Sequence, residues 1–351
     1  MQKFEDAVER LKRIQKREAE KAKAEGQPSN ITPIKRRMIE NSVLIRGQWP
    51  DDFLYQHTLF CQTVLPFRDP GPEVRVWERE QGQISLRLEA GYIKKPRSGY
   101  QPIGLPYGPT ARLILCHLNT EALRTGDSTV EIEGSMTAFV HRLQGFTPNG
   151  REIRKFKDQA ARLASSLIRL AVENENGMAQ VDTKIVEAFE VWKDKSEGEQ
   201  LTFPSRIELS PSYFKSLQEH AVPLDERAIC ALAHSAMALD VYCWMAQRLH
   251  RVDPRRGQFV AWQNLYEQFG QGYSRIRDFR AAFLEVLKLV HAQYPAAVFR
   301  TDKGGMLLWN SPPPVQRRAV LVGAPQPKPA AAPPMPNADM LALPAPRKPQ
   351  A

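Results

Sequence analysis

The chain has 351 residues and a formal net charge of +10, a length that allows two folded domains with tails. The charge is concentrated at the ends. Residues 1–46 carry 12 Lys/Arg against 7 Asp/Glu and residues 312–351 carry 5 against 1, which leaves +1 for residues 47–311. The overall charge therefore does not itself predict a nucleic-acid partner, and only a local concentration of basic residues can do so.

The sequence lacks the motifs of several enzyme classes. It has no G-x-x-x-x-G-K-[ST] phosphate loop, no His-x-His pair of the kind found in rolling-circle nickases, and no G-x-S-x-G or H-E-x-x-H motif. The four cysteines show no C-x-x-C spacing, which argues against a zinc ribbon or a disulfide framework and favours a reduced compartment. We therefore expect no catalysis, no cofactor and no metal site.

Neither a signal peptide nor a membrane span is expected. The N-terminus has no apolar core segment, and the most apolar stretch, residues 228–246, contains Asp240. A charge in mid-span costs roughly 2.5–3.5 kcal/mol in a bilayer, so this stretch predicts a buried core helix. We expect a cytoplasmic protein with no membrane partner.

The first 200 residues predict a charged segment and one domain. Residues 1–45 are expected to be helical or disordered, and the thin apolar seam of residues 1–25 fits a frayed tail or a short oligomerisation or partner helix. Residues 46–200, the first unit, start with strands at 53–64 and 83–92 and a Gly/Pro-rich link at 91–106. The next predicted elements are a helix at 109–123, a strand at 129–132, a helix at 135–143, a turn at 145–150, a basic helix at 151–170, and hairpin strands at 171–173 and 178–181.

Residues 201–311, the second unit, predict a similar order of elements. These are helices at 211–220, 225–249 (with a break) and 262–269, a turn at 270–272, a basic helix at 274–292, and hairpin strands at 298–301 and 306–310. Residues 312–351 contain 12 of the 28 prolines. Such a composition buries too little surface to offset its ordering entropy, which predicts a disordered tail.

The strongest pattern is a local repeat, Ile153-Arg-Lys-Phe-Lys157 and Ile276-Arg-Asp-Phe-Arg280, whose copies lie 123 positions apart. Each copy opens an amphipathic helix that follows a shorter helix and a Gly-containing turn, and that precedes a hairpin. The order helix, turn, basic helix, hairpin is that of a winged helix, which reads duplex DNA with its basic helix. The predicted fold is therefore α+β, with two tandem winged-helix domains, an N-terminal strand extension and disordered tails.

Helical spacing selects the candidate DNA-binding residues of the two basic helices. In the first, one face carries Ile153, Phe156, Ala160, Leu163, Leu167 and Leu170, and the basic residues away from it are Arg151, Arg154, Lys155, Arg162 and Arg169. In the second, Ile276, Phe279, Phe283, Val286 and Val290 predict the packed face. With Ser274 as N-cap, its candidates are Arg275, Arg277, Arg280 and Lys288, joined by Lys303 at the tip of the hairpin. The simpler alternative is that both stripes are ordinary solvated faces.

Several longer stretches resemble plasmid-encoded replication initiators of the RepA type. They are Leu105-Pro-Tyr-Gly-Pro-Thr-Ala-Arg-Leu-Ile-Leu, Asn119-Thr-Glu-Ala-Leu, Ser135-Met-Thr-Ala-Phe, Asp158-Gln-Ala-Ala-Arg-Leu, Ala238-Leu-Asp-Val-Tyr-Cys-Trp-Met-Ala-Gln-Arg-Leu and Trp262-Gln-Asn-Leu-Tyr-Glu-Gln-Phe-Gly. The resemblance covers roughly residues 45–312 and leaves out both tails. The resemblance rests on the order of these stretches along the chain rather than on any single motif.

The resemblance implies double-stranded DNA as the partner, in the form of short direct repeats at a plasmid origin. It also implies local strand opening, recruitment of the host replication initiator and helicase machinery, and a monomer–dimer balance in which the homodimer represses its own gene. Two alternatives stay open. One is a winged-helix transcriptional regulator without a replication role, and the other is a partner-docking tandem winged-helix protein with weak, sequence-blind DNA affinity.

Overall fold

The computed structural model describes residues 32–48, 50, 52–81, 84–95, 99–131, 138, 140–141, 148–174, 177–191 and 204–315. The helices are α1 (Pro33–Gly47), α2 (Thr58–Gln62), α3 (Gly108–Thr125), α4 (Gly150–Ser165), α5 (Pro211–His220), α6 (Glu226–Leu232), α7 (Ala236–Arg248), α8 (Trp262–Phe269) and α9 (Ile276–Gln293). The strands are β1 (Phe53–His57), β2 (Val76–Gln81), β3 (Ile84–Glu89), β4 (Tyr92–Lys95), β5 (Gly99–Pro102), β6 (Thr129–Glu131), β7 (Leu167–Asn174), β8 (Gly177–Thr183), β9 (Val186–Val191), β10 (Pro204–Leu209), β11 (Ala221–Asp225), β12 (Gln258–Ala261), β13 (Phe299–Thr301) and β14 (Gly305–Leu308). This mixture of helices and antiparallel sheets is α+β, as expected.

Two hairpins of the first unit combine into a four-stranded antiparallel sheet of order β2-β3-β7-β8. The central strands pair Leu88 with Ile168, and both side chains are fully buried. The hairpin predicted around residues 176–177 is therefore confirmed, and its strands are longer than expected. A second sheet, of order β6-β10-β9, completes this part of the molecule.

The first basic helix is shorter than predicted. It ends at Ser165, and the chain continues as strand β7 from Leu167. The leucines at 167 and 170 fit helical spacing, but pairing of β7 with β3 decides the conformation. Gly91 packs against this helix end so closely that an added Cβ would lie 1.7 Å from the Ser165 carbonyl oxygen.

Two other predictions for the N-terminal strands are wrong. The predicted strand at 53–64 stops at His57, where the imidazole Nδ1 accepts a hydrogen bond from the Leu59 amide (3.2 Å) and caps α2. The link expected at 91–106 instead contains a separate antiparallel hairpin formed by β4 and β5. Alternation in Tyr92-Ile-Lys was a usable signal, which the Gly and Pro residues around it obscured.

In the second unit the predicted helices and the hairpin at its C-terminal end are present, whereas strands β10, β11 and β12 were not predicted. The broken apolar helix is α6 and α7, separated at residues 233–235. Strand β14 pairs with both β12 and β13, which gives the order β12-β14-β13, and residues 302–304 form the turn between β13 and β14. Helices α8 and α9 pack against each other and α8 packs on β12 and β14.

Three strand pairings cross the predicted boundary at residue 200. Strand β10 pairs with β6 and β9 of the first unit, and β11 pairs with β1. One continuous apolar core includes residues from both units. The two predicted units therefore share sheets and one apolar core.

The predicted tails lie mostly outside the described residues, as does most of the helix expected at 135–143. The tail prediction begins too early, because Val315 is buried and the Tyr294 hydroxyl donates a hydrogen bond to the Pro312 carbonyl (2.6 Å). The charged segment also begins to fold before residue 46. Helix α1 starts at Pro33 and packs on α6 and α9.

Candidate nucleic-acid interface

Helix α4 begins with a reciprocal cap. The Asn149 side chain accepts hydrogen bonds from the amides of Arg151 and Glu152 (both 3.0 Å), and the Glu152 carboxylate accepts from the Asn149 amide (2.9 Å). This arrangement satisfies the open amides of the first turn. It fixes the direction in which the basic N-terminal half of α4 leaves the preceding turn.

The two sides of α4 differ as the sequence predicts. Phe156, Ala160 and Leu163 are buried, and the helix packs on α3. Arg151, Arg154 and Lys155 are exposed on the first two turns. Since three cations lie together near a positive helix N-terminus, this end of α4 favours an anionic ligand.

Arg162 and Arg169 lie in different surroundings from Arg151, Arg154 and Lys155. The Arg162 side chain is only 15% exposed, forms ion pairs with Asp158 and Asp69, and donates to the Leu105 carbonyl (3.1 Å). Arg169 is on strand β7 rather than on the helix, and it forms an ion pair with Glu89. Both arginines hold parts of the first unit together.

Helix α9 packs through an aromatic cluster. Phe279 and Phe283 are fully buried, with ring centroids 5.2 Å apart, and Leu287 and Val290 continue the packed face. The N-cap position is occupied by Arg275 rather than by Ser274 as predicted, and no side chain caps the helix. Ile276, predicted to pack, is instead 40% exposed at the first turn.

Three predicted binding residues of α9 are exposed. Arg275 and Arg277 both form ion pairs with the Asp278 carboxylate, with N–O distances of 2.7 and 3.5 Å, and the Arg277 side chain is 81% exposed. Lys288 lies three turns further along, beside Glu285 (2.6 Å). Exposed ion pairs of this kind contribute little to stability, so these cations remain available to exchange Asp278 or Glu285 for a phosphate.

Arg280 differs from its neighbours because it joins α9 to the hairpin turn. Its guanidinium donates to the carbonyls of Asp302 (2.9 Å) and Lys303 (3.4 Å) and lies over the Trp262 ring, 4.9 Å from the centroid. The Trp262 indole also donates to the Asp302 carbonyl (3.0 Å). Arg280 thus positions the turn that carries Lys303.

The turn itself is closed by Asp302. Its carboxylate accepts hydrogen bonds from the amides of Gly304 (2.7 Å) and Gly305 (3.0 Å). The amides of Gly305 and Gly304 hold the pKa of Asp302 below its ordinary value. Gly305 is required where β14 meets β12, since an added Cβ would lie 2.2 Å from the Val260 carbonyl oxygen. Lys303 is therefore displayed on an ordered turn and is itself exposed.

A buried ion pair links the cores behind the two basic helices. Arg112 on α3 donates through two nitrogens to Asp240 on α7 (both 2.7 Å) and also to the carbonyls of Leu65, Pro66 and Gly108. Burial raises the pKa of Asp240, and Arg112 opposes that shift. Because α4 packs on α3, α3 on α7 and α7 on α9, the two basic helices belong to one packed body. Sequence spacing alone gave no sign of this pair.

Residues 105–264 match the family model RepA_C, described as plasmid-encoded RepA protein. The resemblance to RepA proteins is confirmed over this segment. The RepA_C match includes α3, α4 and α7 and ends inside α8, so the second basic helix lies beyond it.

Comparison with solved structures gives a weaker similarity. A selenomethionine derivative of domains 2 and 3 of RctB has a TM-score of 0.42 and 11% identity, covering 72% of this chain and 98% of that one. A second structure of RctB domains 2–3 has a TM-score of 0.41 and 11% identity, covering 71% and 94%. Similarity at this level is too low to assign a fold. No curated protein matches the sequence.

Within the described part of the chain, no helix is long and apolar enough to span a membrane. The same residues contain no cluster of three His, Cys, Asp or Glu side chains that could hold a metal ion.

Proposed function

We propose that the protein is a plasmid replication initiator that binds duplex DNA through α4 and α9 and recruits host replication proteins in the bacterial cytoplasm. The observation that carries this proposal is the RepA_C match, which includes the capped helix with Arg151, Arg154 and Lys155 on its exposed side. In keeping with the resemblance, its target would be short direct repeats at a plasmid origin. The resemblance also implies local strand opening and repression of its own gene by a homodimer, and we include both in the proposal.

The second unit is proposed to be a winged helix. This is supported by the order α7, β12, α8, α9, β13, β14 and by the position of β14 between β12 and β13. In that assignment α9 is the reading helix and residues 302–304 are the wing. Arg275 and Arg277 would then meet base edges or phosphates, and Lys303 would meet the flanking backbone.

The first unit is proposed to be an elaborated version of the same domain. The order α3, β6, α4, β7, β8 is that of a winged helix apart from the short helix predicted at 135–143, most of which lies outside the described residues. Helix α4 would be the reading helix. The pairing differs, however, because β6 pairs with β10 while the β7-β8 hairpin joins β3. The wing would thus be part of a larger sheet, which holds it more firmly than two strands alone.

We divide the candidate basic residues into two groups according to their surroundings. Arg151, Arg154, Lys155, Arg275, Arg277, Lys288 and Lys303 are proposed to contact DNA. Arg162, Arg169 and Arg280 are proposed to position the elements that carry them, because their guanidinium groups already bind carboxylates or carbonyls. Arginine in the first group can bind guanine O6 and N7 through two nitrogens, whereas lysine mainly neutralises phosphate.

Selection of bound sequences from a random DNA pool tests this function. We expect recovery of one repeated motif, and we expect a plasmid carrying that motif in its origin to replicate only when the protein is supplied. Recovery of a motif without replication would favour a transcriptional regulator. Binding without any sequence preference would contradict the proposal and favour a partner-docking protein.

A further inference from the structure

The hairpin of β4 and β5 carries an unusual outer face. Tyr92 is 60% exposed and Tyr100 72% exposed, and Lys94 is also exposed. Lys94 is paired with Tyr100, and Tyr92 with Pro102, so all four side chains share one face because successive residues of a strand alternate. Exposed tyrosines grouped around a lysine have no role in the core of this unit.

The other face of the hairpin fixes it to the first basic helix. Ile93 is buried in a small cluster with Ile103 and Ala161 of α4. Arg75 ties the base of the hairpin together by donating to the carbonyls of Ile103, Ala90 and Gly91 at 2.7–2.8 Å. Its guanidinium also lies 5.2 Å from the centroid of the Tyr92 ring. The hairpin therefore packs on α4, and its outer face has a defined orientation.

The residue of α4 that contacts the hairpin, Ala161, lies in line with basic residues of the same helix. Ala161, Lys157 and Arg154 follow one another at steps of four and three, so they form one line along the helix, from the exposed Arg154 to Ala161, which is buried beneath the hairpin. At about 1.5 Å per residue, Arg154 lies roughly 10 Å from Ala161 along the axis. This is comparable with the ~12 Å width of a major groove. A duplex that meets Arg154 would thus bring one backbone near the hairpin.

The positive charge of the hairpin segment is complementary to a phosphate backbone. Residues 91–104 include Lys94, Lys95 and Arg97 and contain no Asp or Glu. Tyrosine hydroxyls and lysine ammonium groups are common donors to phosphate oxygens. Aromatic rings on a basic strand can also stack on unpaired bases, but the position beside the reading helix favours the backbone of a duplex.

We propose that the outer face of the β4-β5 hairpin contacts the sugar–phosphate backbone of duplex DNA next to the groove that α4 enters. Lys94 neutralises a phosphate, and the hydroxyls of Tyr92 and Tyr100 donate hydrogen bonds to the same strand. This inference rests on the proposed DNA binding by α4 and adds a contact that lies outside the helix and wing.

The test uses a 30-base-pair duplex of fixed arbitrary sequence and one of its strands alone, each titrated with salt. Lys94→Gln should lower the slope of log K against log salt on the duplex by about one. Tyr100→Phe should weaken duplex binding about threefold, the loss of one hydrogen bond. Lys215→Gln, at an exposed lysine of α5 outside the proposed surfaces, should change neither quantity. All variants should melt like the wild type, because the replaced side chains are exposed.

The outcomes separate this proposal from the one on which it rests. If the wild type binds the duplex and Arg151→Gln/Arg154→Gln weakens it, while Lys94→Gln and Tyr100→Phe have no effect, the hairpin contact is wrong and the function stands. If Tyr100→Leu weakens only single-strand binding and Tyr100→Phe has no effect, the hairpin stacks on bases and the backbone contact is wrong. A wild type that binds neither this duplex nor any sequence selected from a random DNA pool contradicts both proposals.

Discussion

At the scale of single residues, the arginines of α9 fall into two groups that sequence spacing could not separate. Arg277 points away from the molecule, whereas Arg280 binds two carbonyls of the turn at 302–303 and covers Trp262. A helical wheel assigns both to the same basic side, because it contains no information on the hairpin that folds back on α9. The two residues should therefore respond differently to the same substitution.

Arg280→Ala should lower stability by about 1–3 kcal/mol, since the Lys303 carbonyl and the Trp262 ring lose their partner and the Asp302 carbonyl loses one of its two donors. Arg277→Ala should leave stability unchanged and weaken DNA binding. Urea unfolding of both variants, combined with binding to one duplex at several salt concentrations, measures the two effects. Equal stability of the two variants would contradict the positioning role of Arg280.

His57 is a second residue whose environment the sequence did not reveal. It is buried between the α2 cap and the hydroxyl of Ser216, which lies 3.0 Å from Nε2, and stacks on Tyr213. Because Nδ1 accepts the Leu59 amide, the neutral ring donates from Nε2 to Ser216. Burial, assisted by His220, lowers the pKa of His57 from 6.5 to about 4.

This shift predicts a loss of stability in mild acid. The unfolded chain takes up the proton near pH 6.5 and the folded chain only near pH 4, so the stabilisation is complete above pH 6.5 and is lost between these values. The shift corresponds to about 3 kcal/mol. His57→Asn keeps a capping side chain without the titration. Its free energy of unfolding should fall about 3 kcal/mol less between pH 7 and pH 4, and parallel curves would contradict the assignment.

At the scale of elements, local patterns predicted most helices and the β7-β8 and β13-β14 hairpins, while pairing between distant segments was missed. Asn176-Gly177 and the spacing of α9 are local signals, and both predictions are confirmed. The end of α4 at Ser165 depends on pairing with β3, some 80 residues earlier, which no window of sequence contains. The β4-β5 hairpin was missed for a different reason, since Gly and Pro residues surround its short alternating segments.

The C-terminal tail gives a prediction at this scale. A chain ending at residue 318 should be as stable as the full protein. A chain ending at Ser311 should lose about 2–4 kcal/mol, because it removes the buried Val315 side chain and the Pro312 carbonyl that pairs with Tyr294. Thermal and urea unfolding of the two truncated chains measure the difference. Equal stability of the two would show that residues 312–315 do not contribute to the core.

At the scale of the whole molecule, the two basic helices are carried by one core rather than by two separate domains. Arg112 and Asp240 bridge α3 and α7, while β10 and β11 cross from one unit to the other. Since the helices are held in a fixed relation, the proposed binding by one helix would place the other at a set position on the duplex. Two modest contacts can then give tight overall binding.

The most direct test of DNA binding by both basic helices is the slope of log K against log salt. It is measured on a selected duplex and on a random duplex of equal length. The measurement compares the wild type with Arg151→Gln/Arg154→Gln/Lys155→Gln on α4 and Arg275→Gln/Arg277→Gln/Lys303→Gln on α9 and its turn, with Lys215→Gln as control. Each triple variant should lower the slope by about two to three while melting like the wild type. Unchanged slopes for either variant would show that the corresponding basic stripe is only a solvated face.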